Sequence, residues 1–430
     1  MAATAAGCLA TLAAAKLTST DAWQLLAVFT SVGAALGLAY VPSLRGYQFT
    51  AWIVAAVVAA LAFPAYCLHV GTFDLRNPRL LLLVVQLVMF GMGTQMTWHD
   101  FTGVLRMPGQ VGIGLVCQFT IMPLVGFALT KLIALPPEVA AGIILIGSCS
   151  SGLASNVMVY VARGNLPLSI TLTAVATLLA PLMTPLWMKL LANELVAVSF
   201  LKMMQDILKM VIVPIGAALI HDALRPASAR TRHVVTVVAA VAAFVALLPW
   251  LVHSNFVQIG SDSASNSAGA AKLFVICWPF VQLSLAMLVA GTLYHWVTRL
   301  TPSITNWMPR LSMFGIIYFT AVTTAAGRDD LLQVGGWLFL AALLHNGLGY
   351  VFGYGLSRLA GLNRDSARTI AFEVGLQNGG MASGLAAAMG KLGTVGLAAA
   401  IFSPWMNVTG SLLANQWRKQ ATTSSGDAST

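Results

Sequence analysis

Glu373 lies deep inside a long apolar stretch, in the run Glu373-Val374-Gly375-Leu376-Gln377-Asn378-Gly379-Gly380-Met381-Ala382-Ser383-Gly384. A carboxylate held in an apolar, membrane-like setting costs roughly 3 kcal/mol or more, so it marks a functional position. The glycines around it tolerate non-helical backbone. Such backbone survives at membrane depth only where protein or a wet cavity satisfies it. A second polar interruption reads Gly147-Ser148-Cys149-Ser150-Ser151-Gly152-Leu153-Ala154-Ser155-Asn156. Its hydroxyls and amide are hard oxygen donors suited to a sodium-sized cation, and unwound carbonyls would add neutral oxygens. Close helix packing through small residues is the alternative for positions 147–152, but it accounts less well for the Asn156 amide. Ser169 and Thr173 stand four residues apart on one helical face, where back-bonding to their own helix is the plainer reading. Gln118 sits mid-span and could equally be polar glue between helices.

These residues need a frame of membrane helices. The chain has 430 residues, of which 58% are hydrophobic and 8% charged, and its mean hydropathy is +0.83. That composition describes a polytopic membrane protein and excludes a soluble domain. The net charge of +10 is spread in ones and twos between apolar runs, as topological charge is, with no basic face for nucleic acid. The five cysteines are isolated and lack metal-ligand spacing, so neither disulfides nor zinc are indicated. The first twenty residues have neither the basic start of a signal peptide nor the arginines of a transit peptide. No nucleophile–base pair or metal cluster stands out, so an enzyme is not expected.

Apolar spans are expected at about 23–41, 49–69, 80–97, 111–134, 138–161, 166–191, 200–221, 233–252, 273–297, 308–327, 333–356, 366–389 and 392–415. Each is long enough to cross roughly 30 Å of hydrocarbon. One longer polar loop falls at 254–270, and the tail 416–430 reads as polar and disordered. Arginines concentrate on one set of loops, which puts the C-terminus in the cytoplasm and, with thirteen spans, the N-terminus outside. Lys202, Asp206 and Lys209 read as a wet or interfacial helix face, and His345-Asn346 as a joint between helices. The tryptophans sit near span ends, as an aromatic belt does.

Two stretches echo each other at an offset of 228 residues. Ala154-Ser155-Asn156 aligns with Ala382-Ser383-Gly384, Ser151-Gly152 with Gly379-Gly380, and Gln118 with Asn346. Chance likeness among Ala/Gly/Leu-rich helices is the alternative. The functional reading is one broken helix in each half, the fifth and twelfth spans, running in opposite directions. That inverted arrangement gathers ion and substrate sites near the midplane.

The runs Ala154-Ser155-Asn156-Val157-Met158-Val159-Tyr160-Val161-Ala162-Arg163-Gly164-Asn165 and Glu373-Val374-Gly375-Leu376-Gln377-Asn378 resemble the bile acid:sodium symporter family, especially its bacterial members. Gln118-Phe119-Thr120-Ile121-Met122-Pro123, His345-Asn346-Gly347-Leu348-Gly349-Tyr350 and Phe402-Ser403-Pro404-Trp405-Met406-Asn407 add to the likeness, which covers about 49–224 and 305–420. The resemblance implies an all-α symporter of two inverted five-helix repeats, split into core and panel domains, with two broken helices crossing in the core. About three transmembrane helices are then extra. The division expected is an N-terminal extension at 1–48 with one added span, core at 49–224, an inserted helix pair at 225–304, core again at 305–415, and the tail at 416–430.

Carried over by motif, one sodium site is expected at Ser155, Asn156, Ser169, Thr173 and Glu373. A second is expected at Gln118, Glu373, Gln377 and the carbonyls of Val374 and Leu376. Asn378 and Asn407 are candidate substrate contacts. Leu153 and Met406 stand where bacterial bile-acid-binding relatives carry a threonine and a histidine, which puts bile salts in doubt. The expected protein is a multi-pass inner-membrane symporter importing an organic anion with sodium, its partners being that anion and the bilayer. Proton coupling through Glu373 is the alternative, and a transporter-derived sensor a more distant one.

Overall fold

A computed structural model describes residues 20–41, 47–251 and 269–426. Each of the thirteen apolar segments carries helix, as backbone without water requires, because every N–H and C=O must then be paired inside its own segment. In chain order these are α1 (Thr20–Leu38), α2 (Gln48–Ala62), α3 (Pro64–Leu68), α4 (Pro78–Gly93), α5 (Trp98–Arg106) and α6 (Pro108–Leu132). Then come α7 (Pro137–Ser148), α8 (Leu153–Val161), α9 (Leu166–Trp187), α10 (Phe200–Ile207), α11 (Val213–Leu224), α12 (Ala229–Leu251) and α13 (Gly269–Leu300). Last are α14 (Ile304–Ala326), α15 (Arg328–Leu359), α16 (Arg364–Gly375), α17 (Gly379–Ala388) and α18 (Val395–Gly426). A two-stranded hairpin, β1 (His69–Val70) with β2 (Phe73–Asp74), is the only sheet among the described residues. The chain is an all-α polytopic membrane protein. Among the described residues six helices are by themselves long and apolar enough to cross a membrane, or seven if α4 and α5, bent by 59° at their break, count as one span.

The spans at 138–161 and 366–389 are each broken in two. Helix α7 stops at Ser148 and α8 resumes at Leu153, while α16 stops at Gly375 and α17 resumes at Gly379. The echo at 228 residues holds for whole elements, because α6, α7, α8 and α9 fall opposite α15, α16, α17 and α18. Local chemistry sets the ends. Pro108 and Pro137 occupy the first turns of α6 and α7, where the missing N–H costs nothing. Asn165, Asn363 and Asn378 cap α9, α16 and α17, accepting from Leu168, Ser366 and Met381 at 3.2, 2.8 and 3.0 Å.

The chain divides into two compact units. The first comprises residues 1–85, 100–206 and 313–430 and contains both broken helices. The second comprises 86–99 and 207–312. In it α13 packs along α11 so closely that a methyl added at Gly216 would stand 1.9 Å from the Met287 sulfur.

Two expectations need correction. The span at 80–97 ends at Gly93, turns, and continues as α5, whose composition is too polar to register as an apolar span. Asp100 in the first turn and Arg106 in the last suit its dipole. The tail is not disordered from 416, since α18 runs to Gly426. Trp417 holds it, with its ring 5.0 Å from that of Phe372 and under the Arg368 guanidinium, and Gln420 accepts from Arg364 and Arg368. Positions 427–430 and nearly all of the loop expected at 254–270 lie outside the described residues.

Candidate functional site

The two breaks meet. Ser151 and Gln377 form an antiparallel bridge, with Gly152 N–H donating to the Leu376 carbonyl at 3.2 Å and Asn378 N–H to the Ser150 carbonyl at 2.8 Å. Antiparallel pairing requires the two broken segments to run in opposite directions. It also satisfies backbone groups that both helices lose by stopping. Glycine makes the approach possible. A methyl at Gly375 would fall 2.2 Å from the Tyr350 ring, and one at Gly379 would fall 1.9 Å from the Ser403 hydroxyl. Asn346 fixes the end of α16, donating to the Gly375 carbonyl at 2.8 Å and accepting from Thr409 at 2.6 Å. His345 contacts the Met122 carbonyl of α6 at 2.9 Å. This pair therefore joins helices, as its sequence context suggests.

At the crossing, Glu373 is 1% exposed. Its Oε1 accepts from Ser169 at 2.5 Å, and its Oε2 from Ser151 at 2.6 Å and Thr173 at 2.9 Å. Asn156 Oδ1 lies 2.7 Å from the Ser169 hydroxyl and 3.4 Å from that of Thr173. Ser155 Oγ lies 3.4 Å from Thr173 Oγ1 and donates to the Gly152 carbonyl at 2.8 Å. The plainer back-bonding reading fails for Ser169 and Thr173, whose hydroxyls turn to the carboxylate instead. All five residues expected at the first site come together. Ser151 joins them; the sequence marks it only within the small-residue run and the 228-residue echo, not as a ligand. Ser169 and Thr173 each own one hydroxyl proton and each face two acceptors. This surplus of oxygen lone pairs over protons is the chemistry of a hard-cation site.

The second set is assembled in part. Gln118 Nε2 reaches the Cys149 carbonyl and Gln377 Oε1, both at 3.1 Å. Those two acceptors fix its amide orientation, leaving Gln118 Oε1 buried and without a hydrogen-bond donor. An orphan acceptor of this kind fits a cation. The Val374 carbonyl accepts from Gln377 Nε2 at 2.6 Å, and the Leu376 carbonyl accepts from Gly152. Each keeps one lone pair. Glu373 itself points its bonds to the first set.

Of the candidate substrate contacts, Asn378 is buried and spends its side-chain oxygen capping α17. Asn407 is partly exposed and donates to the Ser403 carbonyl at 2.8 Å, beside Gly379. Leu153 opens α8 next to Gly152, which lies against Gln377 and Asn378. Met406 is buried, and its carbonyl lies 3.4 Å from the Tyr350 hydroxyl.

The sequence has clear relatives. The Sodium Bile acid symporter family matches residues 82–261. A Bacillus subtilis protein named as the uncharacterized sodium-dependent transporter YocS is 31% identical over 87% of this chain and 92% of its own length. The chain belongs to the sodium bile acid symporter family. Other members similar to it are an Arabidopsis thaliana chloroplastic protein named a probable sodium/metabolite cotransporter, BASS1, 26% identical over 87% of this chain and 74% of that one. The human ileal sodium/bile acid cotransporter is 28% identical over 69% of this chain and 66% of its own. Membership makes the chain a multi-pass integral membrane transporter and not an enzyme.

Proposed function

We propose that this chain is a sodium-coupled symporter importing a small organic anion by alternating access. The observation that carries the reading is the buried Glu373 carboxylate, ringed by Ser151, Ser169, Thr173, Ser155 and Asn156 where two broken helices cross antiparallel. Sodium held there offsets a charge that would otherwise be expensive to bury. A second ion would take Gln118, whose Oε1 lacks a donor, with Gln377 and the Val374 and Leu376 carbonyls. The carboxyl ends of α7 and α16 favour cations, whereas the amino ends of α8 and α17 favour a carboxylate or sulfonate. Asn378 and Asn407 would orient that anion. A bile-salt-like molecule remains within the class, although Leu153 and Met406 offer it no polar contact from their side chains. Coupling follows when bound sodium stiffens the crossing and so raises anion affinity. The site of action is the cell's inner membrane.

The test is uptake by proteoliposomes. Glu373→Ala should abolish sodium-driven accumulation, and uptake equal to wild type would sink the mechanism. Replacing sodium with potassium at fixed pH should also stop uptake. Transport that persists would assign the coupling to protons.

A further inference from the structure

The second compact unit contains a cavity of 560 Å³ that has no part in the sodium chemistry. It is lined by Arg225, Arg232 and Arg299 and by the buried side chains of His221, Tyr294 and His295. Asp222 is the one carboxylate on its wall, 4.0 Å from Arg225. No ion pair among the described residues engages Arg232 or Arg299. Arg232 stands in the first turn of α12, where the helix dipole is positive and a cation is disfavoured unless an anion sits between them. Arg299 lies over the Trp296 ring at 5.1 Å, which leaves its in-plane N–H donors for a planar or tetrahedral oxyanion. The buried part of the wall points the same way. His221 and Tyr294 are 8% and 9% exposed, and His221 Nδ1 and the Tyr294 hydroxyl are buried without a hydrogen-bond partner. Water could satisfy those atoms, but three guanidinium groups on one cavity with a single carboxylate beside them leave a positive excess that an anion would offset.

We infer that this cavity is a binding site for a phosphate-bearing anion, lined by the inserted helices α12 and α13 together with α11 and α14. The three arginines stand at the end of α11, the start of α12 and the end of α13, on the side that the arginine bias assigns to the cytoplasm. Both a free phosphate and the headgroup of an anionic phospholipid are available there, and basic pockets between membrane helices suit either. Its effect is to tie three helix ends together, so occupancy stabilises this unit whether or not transport is under way.

The purified full chain tests this by thermal unfolding in two arms. In detergent, inorganic phosphate is titrated against chloride at equal ionic strength. In nanodiscs, phosphatidylcholine alone is compared with phosphatidylcholine containing phosphatidylglycerol. A rise in melting temperature in the first arm identifies a soluble phosphate, and a rise confined to phosphatidylglycerol identifies a lipid headgroup. The paired substitution Arg232→Ala with Arg299→Ala should weaken whichever response is seen by at least roughly tenfold in ligand concentration. Arg232→Lys with Arg299→Lys should keep a measurable part of it, which separates lost binding from lost folding. No response to either anion in the wild-type chain overturns the inference, as does an equal response in the wild-type and double-alanine chains.

Discussion

Ser151 best illustrates what a single side chain contributes. Its hydroxyl donates to Glu373 Oε2 at 2.6 Å while its backbone bridges to Gln377. Charge-assisted hydrogen bonds of this kind contribute about 1.5–3 kcal/mol. Ser151→Ala should therefore raise the sodium concentration for half-maximal uptake by roughly tenfold or more, leaving the maximal rate less affected. A sodium dependence identical to wild type would mean that the hydroxyl only ties the two breaks together. Glu373 and Asn156 were legible in the sequence because a polar group at membrane depth is conspicuous on its own, whereas Ser169 and Thr173, for which back-bonding is the plainer reading, are expected at the site only through the family resemblance. Ser151 was not legible, because Ser148, Ser150 and Ser151 are equivalent as letters. Only the pairing with Gln377, a contact across more than two hundred residues, selects the third. The Gln118 orphan oxygen was hidden for the same reason, since its isolation depends on Cys149 and Gln377 occupying the other end of the amide.

Among elements, the crossing is kept by glycines that admit neighbouring rings and hydroxyls. Gly375 closes α16 against the Tyr350 ring, which also packs T-shaped with Phe372 at 6.0 Å between centroids. Gly375→Ala must displace that ring, and overpacking of this kind costs roughly 1–3 kcal/mol. The melting temperature should fall, and Gly375→Ala combined with Tyr350→Leu should recover part of the loss, the coupling between the two being read from a double-mutant cycle. Additive losses would show that the ring is not what the glycine accommodates. Both breaks could be read in the sequence, because glycine and polar residues interrupt otherwise continuous apolar runs twice at one spacing. The bend between α4 and α5 could not. In its nine residues α5 mixes Trp98, Phe101, Val104 and Leu105 with charged and polar ones, so it does not register as an apolar span, and its ends carry the charges that suit its dipole. The continuation of α18 past position 415 escaped notice for a related reason, since polar letters such as Gln420 look like a solvated tail until Arg364 and Arg368 are found to donate to it.

For the whole molecule, the question is what the inserted pair α12 and α13 adds. An even number of added helices preserves the direction of everything downstream, so by topology alone the pair is removable. Packing argues otherwise. On α11, Ala217 and Ala218 are 0% and 1% exposed. A methyl at Gly291 of α13 would approach the Ala217 carbonyl to 2.5 Å, and one at Gly216 would meet Met287. Helices that approach through small residues derive their association from close van der Waals contact, which lipid chains replace poorly. Excision of 229–300 should thus leave the C-terminus on the same side of the membrane, because two spans are lost together, yet lower the melting temperature of the purified protein. Protease accessibility of a C-terminal tag in right-side-out and inverted vesicles reads the first outcome, and thermal unfolding in detergent reads the second. A shortened chain that melts with the wild type would make the pair a passive addition. A tag that changes sides would mean that α12 and α13 do not both cross the bilayer, and the even-insertion reading of the chain would then fail with it.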